Sequence, residues 1–345
     1  MSKKSTEQKQ LIIASSPHLR CHSTTTKVMG DVLIALLPIV IATAFIYGSR
    51  VLLSIAVASF TAILSEFLIQ KAMKREQTIQ NLSCIVTAVI LVLNLPVDFP
   101  LWQLIIGTIF AIVVVKAAFG GIGQNFANPA VTTRIVMVSA FASSFAKNTE
   151  PLARALLLSN STPDPVISMS MDSYSSATIL VLLKSGIEPD KLRTLRDLIL
   201  GIQKTTAIGE TCAIAILIGG LYLLFKKIIK WHIPITYIGT VAVLSFLFGG
   251  FNTQYMLYHI FSGGLLFGAF FMATDYATSP LTDKGKIIFG ISLGLLTSII
   301  RFWSNLPEGV SFSILTMNIL TPHIDRFTKE KPFGAEAKQQ AEANQ

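Results

Sequence analysis

Long apolar runs separated by short polar connections make up most of the chain. Each run is long enough for a helix, and none shows the strict apolar–polar alternation of a barrel strand. Backbone polar groups in lipid must be hydrogen-bonded within their own segment, so the runs predict transmembrane helices. There are ten runs, at residues 31–48, 51–70, 81–96, 101–118, 129–146, 209–225, 233–250, 253–273, 286–303 and 309–322. Runs 81–96 and 309–322 are shorter than the ~20 residues that cross a bilayer, so we expect them to be tilted, broken or re-entrant.

The ten runs divide into two similar halves. An offset of about 178 residues aligns the first run with the sixth and Asn128-Pro129 with Leu306-Pro307. Five spans per half make the halves inverted, and such folds place interrupted segments around a central site. We expect interruptions at Asn94–Pro96 and Met272–Asp275; alternatively, Pro and Thr merely end two helices there. The predicted fold is an all-α polytopic membrane protein of about ten transmembrane helices in two inverted five-helix repeats.

Composition agrees with a membrane protein and excludes other classes. The chain is 52% hydrophobic and only 14% charged, with a mean hydropathy of +0.61, too apolar for a soluble globular domain. The net charge of +9 is spread over short connections, which argues for a membrane-topology pattern and against a nucleic-acid partner. The three cysteines show no CxxC spacing and the five histidines no ligand spacing, so no metal site is predicted.

Basic residues set the expected orientation. Lys and Arg cluster in one set of connections, whereas the short loops on the other side keep only Arg50 and Arg301. By the positive-inside rule both termini are cytoplasmic, and 147–207 faces the other side. The predicted regions are a cytoplasmic N-terminal segment 1–30, a first repeat 31–146, an extracytoplasmic segment 147–207, a second repeat 208–322 and a cytoplasmic tail 323–345.

Several polar residues within or beside the runs are candidates for function. Charges inside a membrane span are costly, about 2.5–3.5 kcal/mol at the centre, and are retained mainly for function. Glu66 is the best candidate for an ion pathway, whereas Lys116 lies near a run end and is expected to extend its ammonium to the interface. Arg134 and Glu210 also lie within or close to apolar runs.

A glycine-rich turn and an aspartate are the other candidates. Gly120, Gly121 and Gly123 precede Asn125, and free N–H groups of such a turn can approach a phosphate or a cofactor edge. Tight helix packing would need the same glycines. Asp275 follows the eighth run, where it meets the cytoplasm in the predicted topology.

Passages in a fixed order along the chain resemble one membrane-protein family. The family includes RnfD of the Rnf electron-transport complex and the related NqrB of the sodium-translocating NADH:quinone reductase. The lack of a longer polar N-terminal extension favours the Rnf member. The passages are Ser15–Arg20, Gly120–Asn125 with Asn128–Ala130, Ala207–Thr211, Met272–Pro280, Pro307–Ser311 and Met317–Arg326.

The resemblance implies a covalent flavin in segment 147–207. In this family a threonine that closes a Ser-Gly-Ala-Thr motif, preceded by an aspartate, is esterified to the phosphate of FMN by a flavin-attaching transferase. Asp172 and Ser175-Ser176-Ala177-Thr178 match that motif, which makes Thr178 the attachment residue. The chain departs from the pattern at Ser176, where the family usually has Gly. Attachment would be slower or absent if the transferase needs a flexible or closely approached backbone at this position.

The resemblance also implies a fold, partners and a second cofactor. The ten-helix core would be similar to a urea transporter, embedded in lipid of the cytoplasmic (inner) membrane of a bacterium or archaeon. Partner Rnf proteins would hold the iron–sulfur clusters and further flavin, and the complex would couple ferredoxin:NAD electron transfer to Na+ or H+ movement. A second, non-covalent flavin such as riboflavin is expected near the 120–125 turn, Glu210 and Asp275. No catalytic residue is expected in this chain, which would act as a subunit of the ion-translocating oxidoreductase complex and not as an enzyme on its own.

Three alternatives remain open from the sequence. The chain could be an NqrB-like component of the quinone reductase. An inverted five-plus-five bundle also suits a solute channel without a redox cofactor, because fold does not determine function. A structural anchor without a cofactor fits if Ser176 blocks attachment of the flavin.

Overall fold

The computed structural model describes residues 24–145, 180, 183, 195–201, 207–304 and 309–329. Every element of secondary structure in these ranges is helical. The helices of the first half are α1 (Thr25–Tyr47), α2 (Ser49–Ala72), α3 (Ser83–Leu93), α4 (Leu101–Ile109, continued by a π-helix Phe110–Ala117) and α5 (Pro129–Ala140). Those of the second half are α6 (Ala213–Phe225), α7 (His232–Phe248), α8 (Thr253–Phe261), α9 (Leu265–Phe267, continued by a π-helix Gly268–Met272), α10 (Asp283–Trp303) and α11 (Val310–Phe327).

Shorter helical turns lie between these helices. They are the 3-10 turns Ile79–Asn81 and Ile208–Glu210 and the short helices Ala142–Phe145 and Leu195–Leu200. Each of the ten apolar runs thus contains helix. The outer helices extend past the predicted repeat boundaries at 31 and 322. One reason is the Thr24 hydroxyl, which caps α1 by accepting from the Lys27 N–H at 3.3 Å.

The predicted interruptions are wrong in position. Asn94 and Ala273 cap the ends of α3 and α9, so both predicted sites are helix ends, as the alternative held. The break in the eighth run lies earlier, at residues 262–264, where α8 and α9 meet at an angle of 59°. Gly263 and Gly264 have φ angles of 69° and 68° there, a left-handed conformation that ends a helix and that glycine adopts without strain.

Corresponding helices of the two halves pack against each other. Helix α1 packs on α6, and α5 packs on α11, while α2 packs on α4 and α7 on α10 within their own halves. The core runs through both halves, with residues such as Ile39, Leu91 and Phe289 fully buried. This pairing is what two related halves would give, but the inverted repeat stays a prediction.

The contact between α1 and α6 requires a residue without a side chain. A Cβ atom on Gly219 would lie 2.1 Å from the backbone carbonyl oxygen of Ala35. Small residues allow this close approach of helix backbones, which is a common way to pack helices in membranes.

Several described helices are suited to a membrane. Helices α1, α2 and α10 are each long and apolar enough to cross a bilayer, and the bent pair α8–α9 meets the same criteria as a unit. Large apolar side chains such as Phe45, Phe60 and Phe225 point outward from the bundle. Such an apolar exterior fits a lipid environment. The count of ten spans stays a prediction.

Candidate functional site

A cavity of about 150 Å³ lies where seven segments of the bundle converge. Its walls come from the starts of α1 and α5, helix α3, the π-helical end of α4, the glycine-rich turn, the end of α6 and the residues around 270–277. We call this end of the bundle the cavity end. Both π-helical segments border the cavity, and π-helical turns are frequent at functional sites.

The glycine-rich turn forms one wall of the cavity. Gly120, Gly121 and Gly123 have φ angles of 122°, 99° and 82°. A residue with a Cβ would be strained at the positive φ of Gly120, so the turn itself favours glycine there. No atom lies within 4 Å of the position that a Cβ would take on Gly121 or on Gly123. Asn125 lines the cavity, and its buried Oδ1 has no hydrogen-bond partner in the described part of the chain.

The start of α5 joins the turn to the second half. The Asn128 side chain caps α5 by accepting from the Ala130 and Val131 N–H groups at 3.0 and 3.4 Å. Its Nδ2 donates to the Met272 carbonyl at 3.3 Å. In the orientation that satisfies both ends of its amide, Asn318 accepts from the Asn128 N–H at 3.1 Å and donates to the Ile314 carbonyl at 3.2 Å. Asn128 therefore fixes the turn against the end of α9.

Asp275 lines the cavity from the loop that follows α9. Burial raises the pKa of its carboxyl group, although the Ala277 N–H and the Thr278 hydroxyl each donate to it at 3.4 Å and lower the pKa. The Tyr276 hydroxyl donates to the Ile228 carbonyl, which ties the loop to the end of α6. Asp275 is therefore held at the rim as a hydrogen-bonding group.

Glu66 and Lys116 form a buried ion pair beside the cavity. The Lys116 ammonium lies 2.9 Å from Glu66 Oε1 and donates to Ser83 Oγ at 2.7 Å. Both residues are 3% exposed, so the expectation that Lys116 extends to the interface is wrong. The Glu66 carboxylate gives the ammonium a charged partner, which lipid could not provide. The two opposite charges compensate each other in the protein interior.

Glu210 lies apart from the cavity. An Arg134 guanidinium nitrogen lies 3.8 Å from Glu210 Oε1, and another donates to Ser311 Oγ at 2.8 Å. Both charged residues are buried, and they connect α5, the start of α6 and α11. Glu210 also contacts the helix break, because a Cβ on Gly264 would lie 2.7 Å from its Oε1. Glu210 therefore belongs to a buried salt bridge with Arg134 and not to the cavity.

The predicted attachment motif lies outside the described residues. This applies to Asp172, Ser175, Ser176, Ala177 and Thr178. Leu180, two residues later, is described: it is buried, and a Cβ on Gly263 would lie 2.2 Å from its Cδ1.

Leu180 therefore packs at the break between α8 and α9. Arg301, near the end of α10, holds the same break by donating to the carbonyls of His259, Ser262 and Gly263 at 2.6, 3.1 and 3.1 Å.

The cavity and Leu180 lie at opposite ends of α10. That helix has 21 residues, which corresponds to roughly 30 Å, and it starts beside the loop of Asp275 and ends at the break that Leu180 contacts. Sequence reasoning missed Leu180, Ser311 and the Lys116–Glu66 pair. Opposite charges at similar depth in spans two and four were a usable indication of that pair.

The fold and the buried polar groups define a class of protein, a multi-pass helical membrane protein with charged residues and a ligand-sized cavity in its interior. Among the described residues, no group of three or more His, Cys, Asp or Glu side chains could hold a metal ion. Residues 12–334 match the profile of the NQR2, RnfD, RnfE family, so the chain belongs to that family.

Curated relatives match nearly the whole chain. The D subunit of the Na(+)-translocating ferredoxin:NAD(+) oxidoreductase complex of Acetobacterium woodii is 41% identical over 325 residues, 94% of this chain and 95% of its own. The D subunit of the proton-translocating ferredoxin:NAD(+) oxidoreductase complex of Clostridium ljungdahlii is 37% identical, covering 93% of this chain and 96% of its own. The D subunit of the ion-translocating oxidoreductase complex of Mannheimia succiniciproducens is 35% identical, covering 93% and 97%.

Proposed function

We propose that this chain is the membrane redox component of an ion-translocating ferredoxin:NAD oxidoreductase, and that it carries electrons through FMN esterified to Thr178. The supporting observation is the likeness over 93–94% of the chain to relatives named as the D subunits of such complexes. These relatives also favour the Rnf complex over the quinone reductase and over a solute channel. Iron–sulfur clusters and further flavin belong to partner proteins of the complex.

The Thr178 hydroxyl would be the oxygen that forms the phosphoester. Asp172, Ser175, Ser176 and Ala177 would form the motif that the attaching transferase recognises. A bound flavin supplies redox chemistry by accepting and passing on one or two electrons, and the protein supplies its position and surroundings. The packing of Leu180 at the α8–α9 break would anchor the chain directly after the attachment residue.

A second, non-covalent flavin would bind at the cavity end. Two observations favour such a ligand: Asn125 Oδ1 is an unpaired acceptor for an N–H group, and no atom lies within 4 Å of the Cβ position at Gly123, which lines the cavity. A cavity of about 150 Å³ holds a benzene-sized ring, so part of a three-ring flavin would lie over the glycine-rich turn. Two flavins at the two ends of α10 would suit electron transfer across the membrane.

The expected orientation places the cavity end at the cytoplasm and Thr178 on the extracytoplasmic side. Basic residues lie at the cavity end, which agrees with the positive-inside rule. They are Lys71 in the last turn of α2, and Lys74, Arg75 and Lys227 in the connections. The chain would then lie in the cytoplasmic membrane with both termini inside.

Flavin fluorescence on a denaturing gel tests the proposed function. Only a covalently bound flavin stays with the chain in detergent, so the wild-type band should fluoresce under ultraviolet light when the attaching transferase is present. Thr178→Ala should give a dark band at equal protein load. A fluorescent Thr178→Ala band would refute the attachment residue, and a dark wild-type band would favour a structural anchor.

Glu66 would line the ion pathway next to the cavity. Replacing its carboxylate by an amide removes the negative charge that attracts a cation but keeps the side-chain volume. Glu66→Gln should lower the number of ions moved per electron in proteoliposomes while the flavin band persists. An unchanged ratio of ions to electrons would exclude Glu66 from the pathway.

A further inference from the structure

Lys116 lies between the cavity and Glu66. Its side chain lines the cavity, whereas its ammonium donates to Glu66 Oε1 and to Ser83 Oγ. Glu66 is not among the cavity-lining residues, so the ammonium separates it from a ligand there. A lysine has a flexible four-carbon stem and a compact charge, so the ammonium can reach either side by rotation about its own bonds.

The carboxylate of Glu66 is only half satisfied. Gln70 Nε2 at 3.2 Å, the Thr78 hydroxyl at 3.3 Å and the Lys116 ammonium at 2.9 Å all donate to Oε1. Oε2 is buried and accepts no N–H or O–H hydrogen bond among the described residues, while the Cys84 thiol, a weak donor, hydrogen-bonds the Glu66 carboxylate. A buried carboxylate oxygen without a strong donor costs free energy that a bound cation would offset.

We propose that Lys116 is a charge switch that couples a negative charge in the cavity to cation uptake by Glu66. A negative charge in the cavity attracts the ammonium away from Glu66, and one H+ or Na+ takes its place on the carboxylate. The net charge around Glu66 is the same before and after, because one monovalent cation replaces another. When the negative charge leaves, Lys116 returns and displaces the cation. The proposal rests on the proposed function for the origin of the negative charge, which is the reduced flavin.

Carbodiimide labelling tests the switch without measuring activity. Dicyclohexylcarbodiimide reacts with protonated carboxyl groups in apolar surroundings, and mass mapping of the tryptic peptide Val51–Lys71 locates the label on Glu66. In the purified complex in Na+-free buffer, labelling should be low while Lys116 pairs with Glu66, and it should rise several-fold in Lys116→Met and on reduction of the wild type. Glu66→Gln should remove the label. Unchanged labelling in Lys116→Met or on reduction would overturn the proposal.

Na+ and K+ distinguish the two cations. Suppression of the labelling in Lys116→Met by Na+ but not by K+ would identify Na+ as the cation, and equal labelling in both salts would identify a proton. Either result supports a cation site that Lys116 controls. A dark wild-type band on the fluorescence gel would refute the flavin proposal, whereas the labelling of Lys116→Met would still test the Lys116–Glu66 pair.

A double variant separates a switch from a structural ion pair. If the pair only stabilises the fold, Lys116→Met combined with Glu66→Gln leaves no uncompensated charge and restores the ions moved per electron. If Lys116 is a switch, the double variant folds but the ratio stays low. The control is the exposed pair Lys230–Asp283, where Lys230→Met with Asp283→Asn should leave the ratio unchanged.

Discussion

Glu66 and Lys116 show how a charge in an apolar helix is accommodated. The position of Lys116 near a run end predicted an interfacial ammonium, but the π-helical end of α4 changes which side chains face inward. The carboxylate of Glu66 then gives the ammonium a buried partner. Whether Lys116 reaches the interface or forms a buried ion pair depends on Glu66, 50 positions away in the sequence. Hydropathy alone does not reveal this dependence.

Ser176 is the residue at which the chain departs from its family's attachment motif. If the transferase approaches the backbone closely, a Cβ at this position slows attachment, and Ser176→Gly should raise the fraction of chain that carries flavin. Fluorescence per unit of protein after limited expression of the transferase measures this fraction. Ser175→Gly is the matched control and should not raise it. A lower yield in Ser176→Gly would contradict the proposed effect of the Cβ.

The helices are the elements best predicted from the sequence. The ten apolar runs lack strand periodicity, and in lipid a helix satisfies the backbone hydrogen bonds of such a run within the run itself. The break at residues 262–264 was missed, although Gly263-Gly264 inside an apolar run is a usable indication of it. The π-helical segments could not be predicted, because their composition is that of any apolar helix. Convergence of Gly123, Asn125 and Asp275 on one cavity depends on the packing of α3, α4 and α6, which no local motif encodes.

The α1–α6 crossing gives a prediction at the scale of these elements. A Cβ at Gly219 meets the carbonyl oxygen of Ala35, which is backbone and cannot rotate away, so Gly219→Ala should cost roughly 1–3 kcal/mol of stability. Thermal unfolding in detergent measures the loss. Gly239→Ala in α7 is the control, because nothing lies within 4 Å of its Cβ, and there alanine should be neutral or stabilising. Equal stability of both variants would contradict the close crossing.

Across the whole molecule, the proposed orientation places the two ends of the bundle in different compartments. In a background without the native cysteines, a membrane-impermeant maleimide should label Asn252→Cys from the extracytoplasmic side and Lys284→Cys from the cytoplasmic side. Right-side-out and inside-out vesicles separate the two cases, and detergent-solubilised protein controls for reactivity. Labelling of both positions from one side would contradict the number of spans between them.

The arrangement of the whole molecule gives the proposed function a geometric basis. The cavity and the anchor of Leu180 are separated by the length of α10, and the buried acid Glu66 lies beside the cavity. An electron carrier at each end and a cation site at one of them would allow redox state to control ion uptake. The central claim is that this chain itself carries flavin at Thr178.

Mass mapping of one peptide tests that claim most directly. Trypsin releases Ala155–Lys184, which contains Thr178, from chain purified out of cells that hold the attaching transferase. We expect this peptide to carry the added mass of one FMN less one water. Fragmentation should place the group on Thr178, and Thr178→Ala should give no such peptide. An unmodified wild-type peptide, or flavin on another residue, would contradict it.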